Sequence, residues 1–231
     1  NSPMKVEVLS LGGSVIIPTY TDKVDYGYLK SFKKLIESIK DKRFVIVTGG
    51  GATARKYMNA LEQEGLDKKT QCLLGISVTR LNAAFMASFF DGMASQVIPR
   101  SLDEVKNLLL RNKVVFTGGL RYEEDNTSDG TAARIANYLH THFINITDVD
   151  GLYTKDPRKH KDARFISHIS FDDFDRMAKK IVYHPGQHFV LDQHASAIIK
   201  RHKIRTTILG RDLGNIRKCL NDKDFKGTVI E

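Results

Sequence analysis

The chain has 231 residues and a formal net charge of +9, from 36 lysines and arginines against 27 aspartates and glutamates. Hydrophobic residues make up 41% of the sequence and charged residues 27%, which excludes a disordered, collagen-like or low-complexity chain. A chain of this length buries enough apolar surface to fold without disulfides or structural metals, and its length favours one α/β domain.

Short apolar runs rich in β-branched residues alternate with helical patterns along the chain. In chain order we predict a strand at 6–11, a helix at 29–39, a strand at 44–47, helices at 52–64 and 80–90, a capping-box helix start at 101–104, a strand at 114–116, a helix at 129–140, a strand at 143–146, a helix at 195–202, a strand at 206–209 and a helix at 212–220. This alternation is typical of right-handed crossovers. It predicts an α/β fold, a three-layer αβα sandwich with a mainly parallel central sheet.

Three glycine-rich turns each follow a predicted strand: Gly12-Gly13-Ser14, Gly49-Gly50-Gly51 and Gly118-Gly119. Glycine lets backbone N–H groups approach an anion, and a helix N-terminus favours negative charge. In a parallel sheet such turns meet at the carboxyl ends of the strands, where ligands bind. No turn matches the P-loop or the G-x-G-x-x-G pattern, so the sequence predicts an anion site of another kind.

The positive charge is spread over many segments. The densest basic stretches, 155–164 and 200–205, lack the interleaved aromatic residues of a single-strand nucleic-acid platform. We therefore expect no nucleic-acid partner, and interpret the charge as a solvated surface or as suited to an anionic small substrate. The sequence has no run of ~18 apolar residues and no leader pattern, so we expect neither a membrane span nor a signal peptide. Two cysteines, Cys72 and Cys219, are typical of a reducing cytoplasm.

Three segments resemble the amino acid kinase superfamily in type and in order: VTGGGATAR at 47–55, LGISVTRLNA at 74–83 and TDVDGLYTKDP at 147–157. The third is specific to the superfamily, and the first two together are most similar to its archaeal-type uridylate (UMP) kinase branch. The resemblance extends from residue 6 to the end of the chain.

The resemblance implies one amino acid kinase-like domain, with an acceptor-binding lobe at about 1–140 and an ATP-binding lobe at about 141–231. It implies ATP-dependent phosphorylation of UMP to UDP in pyrimidine nucleotide synthesis, with Mg²⁺ carried on the nucleotide rather than in a protein metal site. It also implies a homo-oligomer, a dimer or a hexamer. The apolar helical segment 76–90 is a candidate for the subunit interface.

The resemblance also assigns roles to individual residues, and Arg55 and Asp129 are the catalytic candidates. The implied ATP-binding residues are Gly12, Gly13, Ser14, Gly51, Arg55, Thr147, Asp148, Tyr153 and Asp156. The implied acceptor-binding residues are Gly50, Cys72, Gly119, Thr127, Ser128 and Asp129.

Each polar candidate also has a purely structural interpretation, which the sequence leaves open. Asp156-Pro157 is equally consistent with a turn, and Asp129 with a helix N-cap. Tyr153 is equally consistent with a packing residue, and Arg55 with a solvated helix residue. The ordered set of motifs, rather than any single residue, favours a functional site.

Several positions depart from the family pattern. Ser10 and Ala52 stand where relatives often carry a lysine, so the cation on the transferred phosphoryl group is missing or comes from Arg80, Arg121 or Lys155. Cys72 replaces an acidic residue that meets the acceptor ribose, and Asp148 replaces an asparagine. The acceptor loop, between Gly119 and Ser128, is about two residues longer than the family pattern and carries three acids at 123–125, which repel a phosphate unless they face solvent.

These departures keep two alternatives open: a related kinase with a different phosphate or carboxylate acceptor, and a non-catalytic nucleotide-binding or storage relative. The histidines support no metal site. His184, His188 and His194 cluster in sequence, but Pro185-Gly186 interrupts any helix that would bring the first two together.

Overall fold

A seven-stranded sheet forms the centre of the computed structural model, which describes residues 4–123, 126–180 and 191–231. Its strands are β1 (Lys5–Leu11), β2 (Lys42–Thr48), β3 (Val114–Thr117), β4 (Phe143–Thr147), β7 (His168–Ile169), β8 (Thr206–Gly210) and β9 (Thr228–Ile230), and β5 (Leu152–Tyr153) pairs with β6 (Phe165–Ile166) in a separate antiparallel hairpin. The strand order is β3-β2-β1-β4-β8-β9-β7. The first five strands in this order are parallel, whereas β9 runs antiparallel to β8. The predicted mainly parallel sheet is confirmed.

Helices cover both faces of this sheet. They are α1 (Gly13–Ile16), α2 (Tyr26–Ser38), α3 (Gly51–Gln63), α4 (Lys68–Phe90), α5 (Leu102–Leu109), α6 (Ser128–Tyr138), α7 (Phe171–Lys180), α8 (Gln193–His202) and α9 (Leu213–Leu220). Side chains at several N-caps accept the backbone N–H three residues later, as the sequence predicts for Ser101, which bonds the N–H of Glu104. Glu104 in turn accepts the N–H of Arg100, one residue before the cap.

Alternation along the strands divides the core into two layers. On one face, Leu9 and Phe116 pack with Phe32 of α2 and Phe90 of α4, and the rings of Phe90 and Phe116 meet edge to face at 4.8 Å. A separate cluster fills the opposite face, where strand residues pack against α5, α6, α7 and α8. The three-layer αβα architecture is therefore confirmed.

The helix predicted at 80–90 is longer in the structure, because α4 begins at Lys68 after the N-cap Asp67. An 18-residue window of the segment Lys68–Met93 has a mean hydropathy of 1.4, so by length and composition alone the segment would suffice to cross a membrane. In the fold it packs against α3, β2 and β3, and Val78, Ala83 and Met86 lie in the buried interior.

The sheet is continuous across the predicted lobe boundary near residue 140, because β1 pairs directly with β4. The two-lobe division of binding roles stays a prediction. The short elements α1, β5, β6, β7 and β9 and the helix α7 are additions to the predicted order.

Candidate functional site

Two of the glycine turns lie against each other where β1 and β2 end. A Cβ atom added to Gly13 would stand 2.3 Å from the backbone nitrogen of Gly51, so a side chain there would collide with the second turn. Gly51 has a φ of +61°, which residues with a side chain rarely adopt. The close approach of the two backbones therefore requires both glycines.

The start of α3 supplies N–H groups to this junction. Its N-cap is Gly50, and no side chain caps the helix. The first N–H groups of an α-helix lack partners within the helix, and the helix dipole adds partial positive charge there. The junction therefore presents backbone donors of the kind that suit an anion, and anion binding there stays a prediction.

The start of α6 reaches the same junction. A Cβ atom on Gly49 would lie 3.1 Å from the backbone nitrogen of Gly13 and 3.5 Å from Oγ of Ser128. Ser128 is the first residue of α6. The structure thus brings together the first two glycine turns and the predicted acceptor segment 127–129.

Asp129 faces β1 through a hydrogen bond that links residues 119 positions apart: Oγ of Ser10 donates to its Oδ1 at 2.6 Å. Burial raises the pKa of the Asp129 carboxyl to about 7; the charge of Asp192 adds to this rise, while the Ser10 hydrogen bond opposes it. The N-cap of α6 is Thr127, whose Oγ1 accepts the N–H of Gly130 at 3.1 Å. The N-cap interpretation of Asp129 is therefore wrong.

Asp192 is a second carboxylate in the vicinity. Oγ1 of Thr127 donates to its Oδ2 at 2.5 Å, and its Oδ1 caps α8 by accepting the N–H of Ala195 at 2.8 Å. Thr127 therefore joins the starts of α6 and α8, which gives this predicted acceptor residue a structural role.

Arg55 lies in the second turn of α3 and is exposed. Within the described ranges its guanidinium has no hydrogen-bond or ion-pair partner, so it is available to an anion at the start of α3. The suggested replacement cations are engaged elsewhere. Arg80 donates to three backbone carbonyls, Arg121 pairs with Glu123 at 3.2 Å, and Lys155 pairs with Asp162 at 2.5 Å.

The third glycine turn has a different explanation. A Cβ atom on Gly118 would stand 2.5 Å from Oγ1 of Thr79, and one on Gly119 would lie 3.1 Å from the side chain of Ile76. The N–H of Gly119 donates to Oγ1 of Thr79 at 3.0 Å. Glycine is required here because α4 packs directly on the backbone, and the Gly119 N–H is already satisfied by protein.

The predicted ATP-binding residues in the range 147–156 lie at the end of β4 and after it. Thr147 is the last residue of β4, and the exposed Asp148 follows it. Tyr153 packs edge to face on Phe165 at 5.2 Å. Asp156 accepts the backbone N–H of Arg158 at 2.9 Å, so the turn interpretation describes part of its role.

The acidic acceptor loop is partly neutralised. Glu123 forms ion pairs with Arg121 and Arg134, whereas Glu124 and Asp125 lie outside the described residues. Nζ of Lys69, in the first turn of α4, lies 5.5 Å from the ring centroid of Tyr122. Cys72, one turn further along α4, is half-buried.

Nothing in the described ranges groups three or more histidine, cysteine or acidic side chains as a metal site. Nε2 of His194 is buried without a hydrogen-bond partner among the described residues. His184 and His188 lie outside those residues, so the predicted lack of a histidine metal site stays a prediction.

Sequence reasoning assigned no positive role to Ser10 and missed Asp192, Thr79 and Asn82. The sequence marks Ser10 only as a departure from the family pattern, because its hydrogen bond to Asp129 depends on tertiary structure. Thr79 and Asn82 lie within the second family motif, which was a usable signal.

In a comparison with known proteins, residues 5–210 match the family model of the amino acid kinase family. Uridylate kinase of Thermoplasma volcanium is 38% identical over 225 residues, covering 97% of this chain and 96% of the relative. Uridylate kinase of Thermoplasma acidophilum is 34% identical, with coverage of 97% and 96%. The crystal structure of uridylate kinase from Archaeoglobus fulgidus superposes with a TM-score of 0.84 at 33% identity, covering 99% of this chain and all of the other.

Proposed function

This chain belongs to the amino acid kinase family, and we propose that it transfers the γ-phosphoryl group of ATP to UMP, giving ADP and UDP. The observation that carries the proposal is the junction of Gly13 with Gly51 at the start of α3, together with Arg55, whose side chain is unpaired within the part of the chain that the structure describes. Full-length similarity to uridylate kinases supports UMP as the acceptor.

Phosphoryl transfer requires positioning and compensation of negative charge more than covalent chemistry. In the proposed reaction, the N–H groups of the two glycine turns and of the start of α3 hold the transferring phosphoryl group. Arg55 reaches back over that start and offsets charge on the ATP phosphates. A UMP hydroxyl is not involved: an oxygen of the UMP phosphate attacks the γ-phosphorus, and the bond from that phosphorus to the bridging oxygen of ADP breaks.

Asp129 organises the junction from the α6 side, next to Ser128, through its hydrogen bond with Ser10. Thr147, Asp148, Tyr153 and Asp156 hold the adenine and ribose at the neighbouring strand end. The donor is ATP with Mg²⁺ carried on its phosphates, where the ion neutralises phosphate charge. Ser10 and Asp129 present oxygen atoms there, which is the ligand type that this hard cation prefers, and the described residues contain no dedicated metal cluster.

A coupled ADP-release assay with Mg-ATP tests the proposal against UMP, CMP, AMP, GMP and dTMP. We expect strong preference for UMP. Turnover of a different acceptor would retain the kinase and reject UMP, whereas ATP binding without turnover of any acceptor would favour the non-catalytic alternative.

The variant Arg55→Ala distinguishes a loss of activity from a loss of stability. We expect it to lower kcat/KM by about 100-fold with an unchanged melting temperature, because Arg55 is exposed and its side chain has no hydrogen-bond or ion-pair partner among the described residues. Arg201→Ala, an exposed arginine on α8, is the matched control. Equal rates in the two variants would remove Arg55 from the site.

We also propose a homo-oligomer in the cytoplasm, a dimer or a hexamer, that uses the exposed face of α4. Leu73 is 45% exposed and Leu81 66% exposed there, and Tyr57 of the adjoining α3 is 55% exposed. A large apolar surface of this kind is typical of a protein interface.

A further inference from the structure

The second family motif, residues 74–83, carries part of the family resemblance, but the proposed function assigns it no binding role. It lies on α4, and α4 contacts two glycine turns through side chains only three positions apart. Asn82 reaches Gly49, and Thr79 reaches Gly119. These contacts connect the turn after β2 with the turn after β3.

Asn82 fixes the direction of one peptide group. Its Nδ2 donates to the carbonyl oxygen of Gly49 at 2.8 Å. In a planar trans peptide the N–H points opposite to the C=O, so the N–H of Gly50 is held on the side away from Asn82. In the part of the chain that the structure describes, this N–H has no acceptor, which leaves it free to donate to a phosphate oxygen.

Thr79 holds both neighbouring strand ends. Its Oγ1 accepts the N–H of Gly119 at 3.0 Å and donates to the carbonyl of Ile76 at 2.7 Å. Its own carbonyl accepts Oγ1 of Thr48, the last residue of β2, at 2.9 Å. One residue of α4 therefore fixes the end of β2 relative to the turn after β3.

Arg80 completes the attachment. Its Nη1 donates to the carbonyls of Gly119 and Pro99 at 3.0 and 2.8 Å, and its Nη2 donates to the carbonyl of Ile98 at 3.0 Å. Burial, and then the charge of Arg100, lower the pKa of this guanidinium, which nevertheless stays protonated at neutral pH. A half-buried guanidinium with three carbonyl partners is a rigid anchor rather than a free cation for substrate.

We propose that Thr79, Arg80 and Asn82 form a brace, the α4 brace, that positions the backbone donors of the Gly49–Gly51 turn against the Gly118-Gly119 turn after β3. The residues of the brace are positioning residues and do not touch substrate. Asn82 aims the N–H of Gly50 at the phosphoryl group, whereas Thr79 and Arg80 set the distance to the Gly118-Gly119 turn. This inference rests on the proposed function for its substrates but not for its geometry.

Asn82→Asp tests the donor, because a carboxylate of the same shape cannot donate to the Gly49 carbonyl. Asn59→Asp, on the exposed face of α3, is the control with the same change of charge. We expect Asn82→Asp to lower kcat for UMP phosphorylation at least about tenfold below the control, with the Kd for ATP, measured by calorimetry, changed less than about threefold. A kcat equal to that of the control overturns the role of Asn82.

Asn82→Ala is the second variant, because it removes the same bond without adding charge. If Asn82→Asp fails to fold, the same kcat criterion applies to Asn82→Ala. A parallel loss of kcat, ATP affinity and melting temperature in this variant would indicate a general structural role and would also overturn the positioning role.

Thr79→Val tests the acceptor side, with Ser77→Ala as control, since the Ser77 hydroxyl donates to the carbonyl of Leu73 in its own helix. We expect weaker UMP binding in Thr79→Val, about fivefold or more by calorimetry, and no change in Ser77→Ala. If the wild-type chain turns over no acceptor, the proposed function fails, but this binding comparison still stands. Equal affinities in the two variants overturn the brace.

Discussion

Replacing Asp129 by asparagine should change how the free energy of unfolding depends on pH. Burial raises the pKa of the Asp129 carboxyl from its ordinary value of 3.8 to about 7. The folded chain therefore holds the proton more tightly than the unfolded chain. The resulting stabilisation is complete below about pH 4 and is lost as the pH rises through about 7.

The size of this effect follows from the same interval. The pKa of the Asp129 carboxyl rises from 3.8 to about 7 on folding. At ~1.4 kcal/mol per pKa unit, this rise stabilises the folded state by at most about 4 kcal/mol. The side chain is half-buried, and water reduces this figure to about 2–4 kcal/mol. Roughly half of this stabilisation, about 1–2 kcal/mol, is lost as the pH rises from about 5.5 to about 8.5.

Urea unfolding at these two pH values measures the difference. As the pH rises, the free energy of unfolding should fall by about 1–2 kcal/mol more in the wild-type chain than in Asp129→Asn, since all other groups titrate alike in both proteins. Asp148→Asn, which changes an exposed acid at the neighbouring strand end, should behave like the wild type. The same pH dependence in Asp129→Asn and the wild type would refute the reasoning.

Three further variants test other parts of the structure. Gly51→Ala should lower the free energy of unfolding by about 2 kcal/mol in urea, because of its positive φ and its contact with Gly13; an unchanged value would mean that the turn relaxes freely. Lys42→Met should cost about 3 kcal/mol by the same method, since it removes the lysine from the buried Glu7 and leaves His142 as its remaining ion-pair partner among the described residues; a smaller loss in Glu7→Leu/Lys42→Met would confirm the cause, and an equal loss would contradict it. Leu81→Glu should reduce the mass measured by light scattering if the exposed face of α4 is the proposed interface; an unchanged mass would place the interface elsewhere.

The central fold was predictable because each major strand carries its own signal. Runs such as Phe44-Val45-Ile46-Val47 are buried on both faces of the sheet, so their composition alone identifies them. The strands β5, β6 and β7 have only two residues each, too few to show a period. Phe171, Phe174 and Ala178 do follow helical spacing, so α7 was detectable from sequence.

The candidate site was predictable only in its local parts. Gly13 and Gly51 follow strands, and the rule that parallel strands end together correctly brought their turns into contact. Gly118-Gly119 has the same sequence pattern, but its cause is the close approach of Thr79 and Ile76. The helix that carries them lies about 40 residues away in sequence, and no local pattern reports a tertiary contact of this kind.

The pair formed by Ser10 and Asp129 changes the expected charge balance of the site. A cation at position 10 would favour the ionised carboxylate of Asp129 and lower its pKa, whereas the hydroxyl of Ser10 supplies one hydrogen bond and no charge. With a pKa of about 7, Asp129 carries only part of its negative charge near neutral pH, which weakens its repulsion of a phosphate bound as in the proposed reaction. Because Arg80 is bound to carbonyls, the proposed reaction assigns compensation of the phosphate charge to Arg55 and to the N–H groups of the glycine turns. A hydroxyl at position 10 and a carboxyl of raised pKa at position 129 are therefore compatible with the proposed phosphoryl transfer.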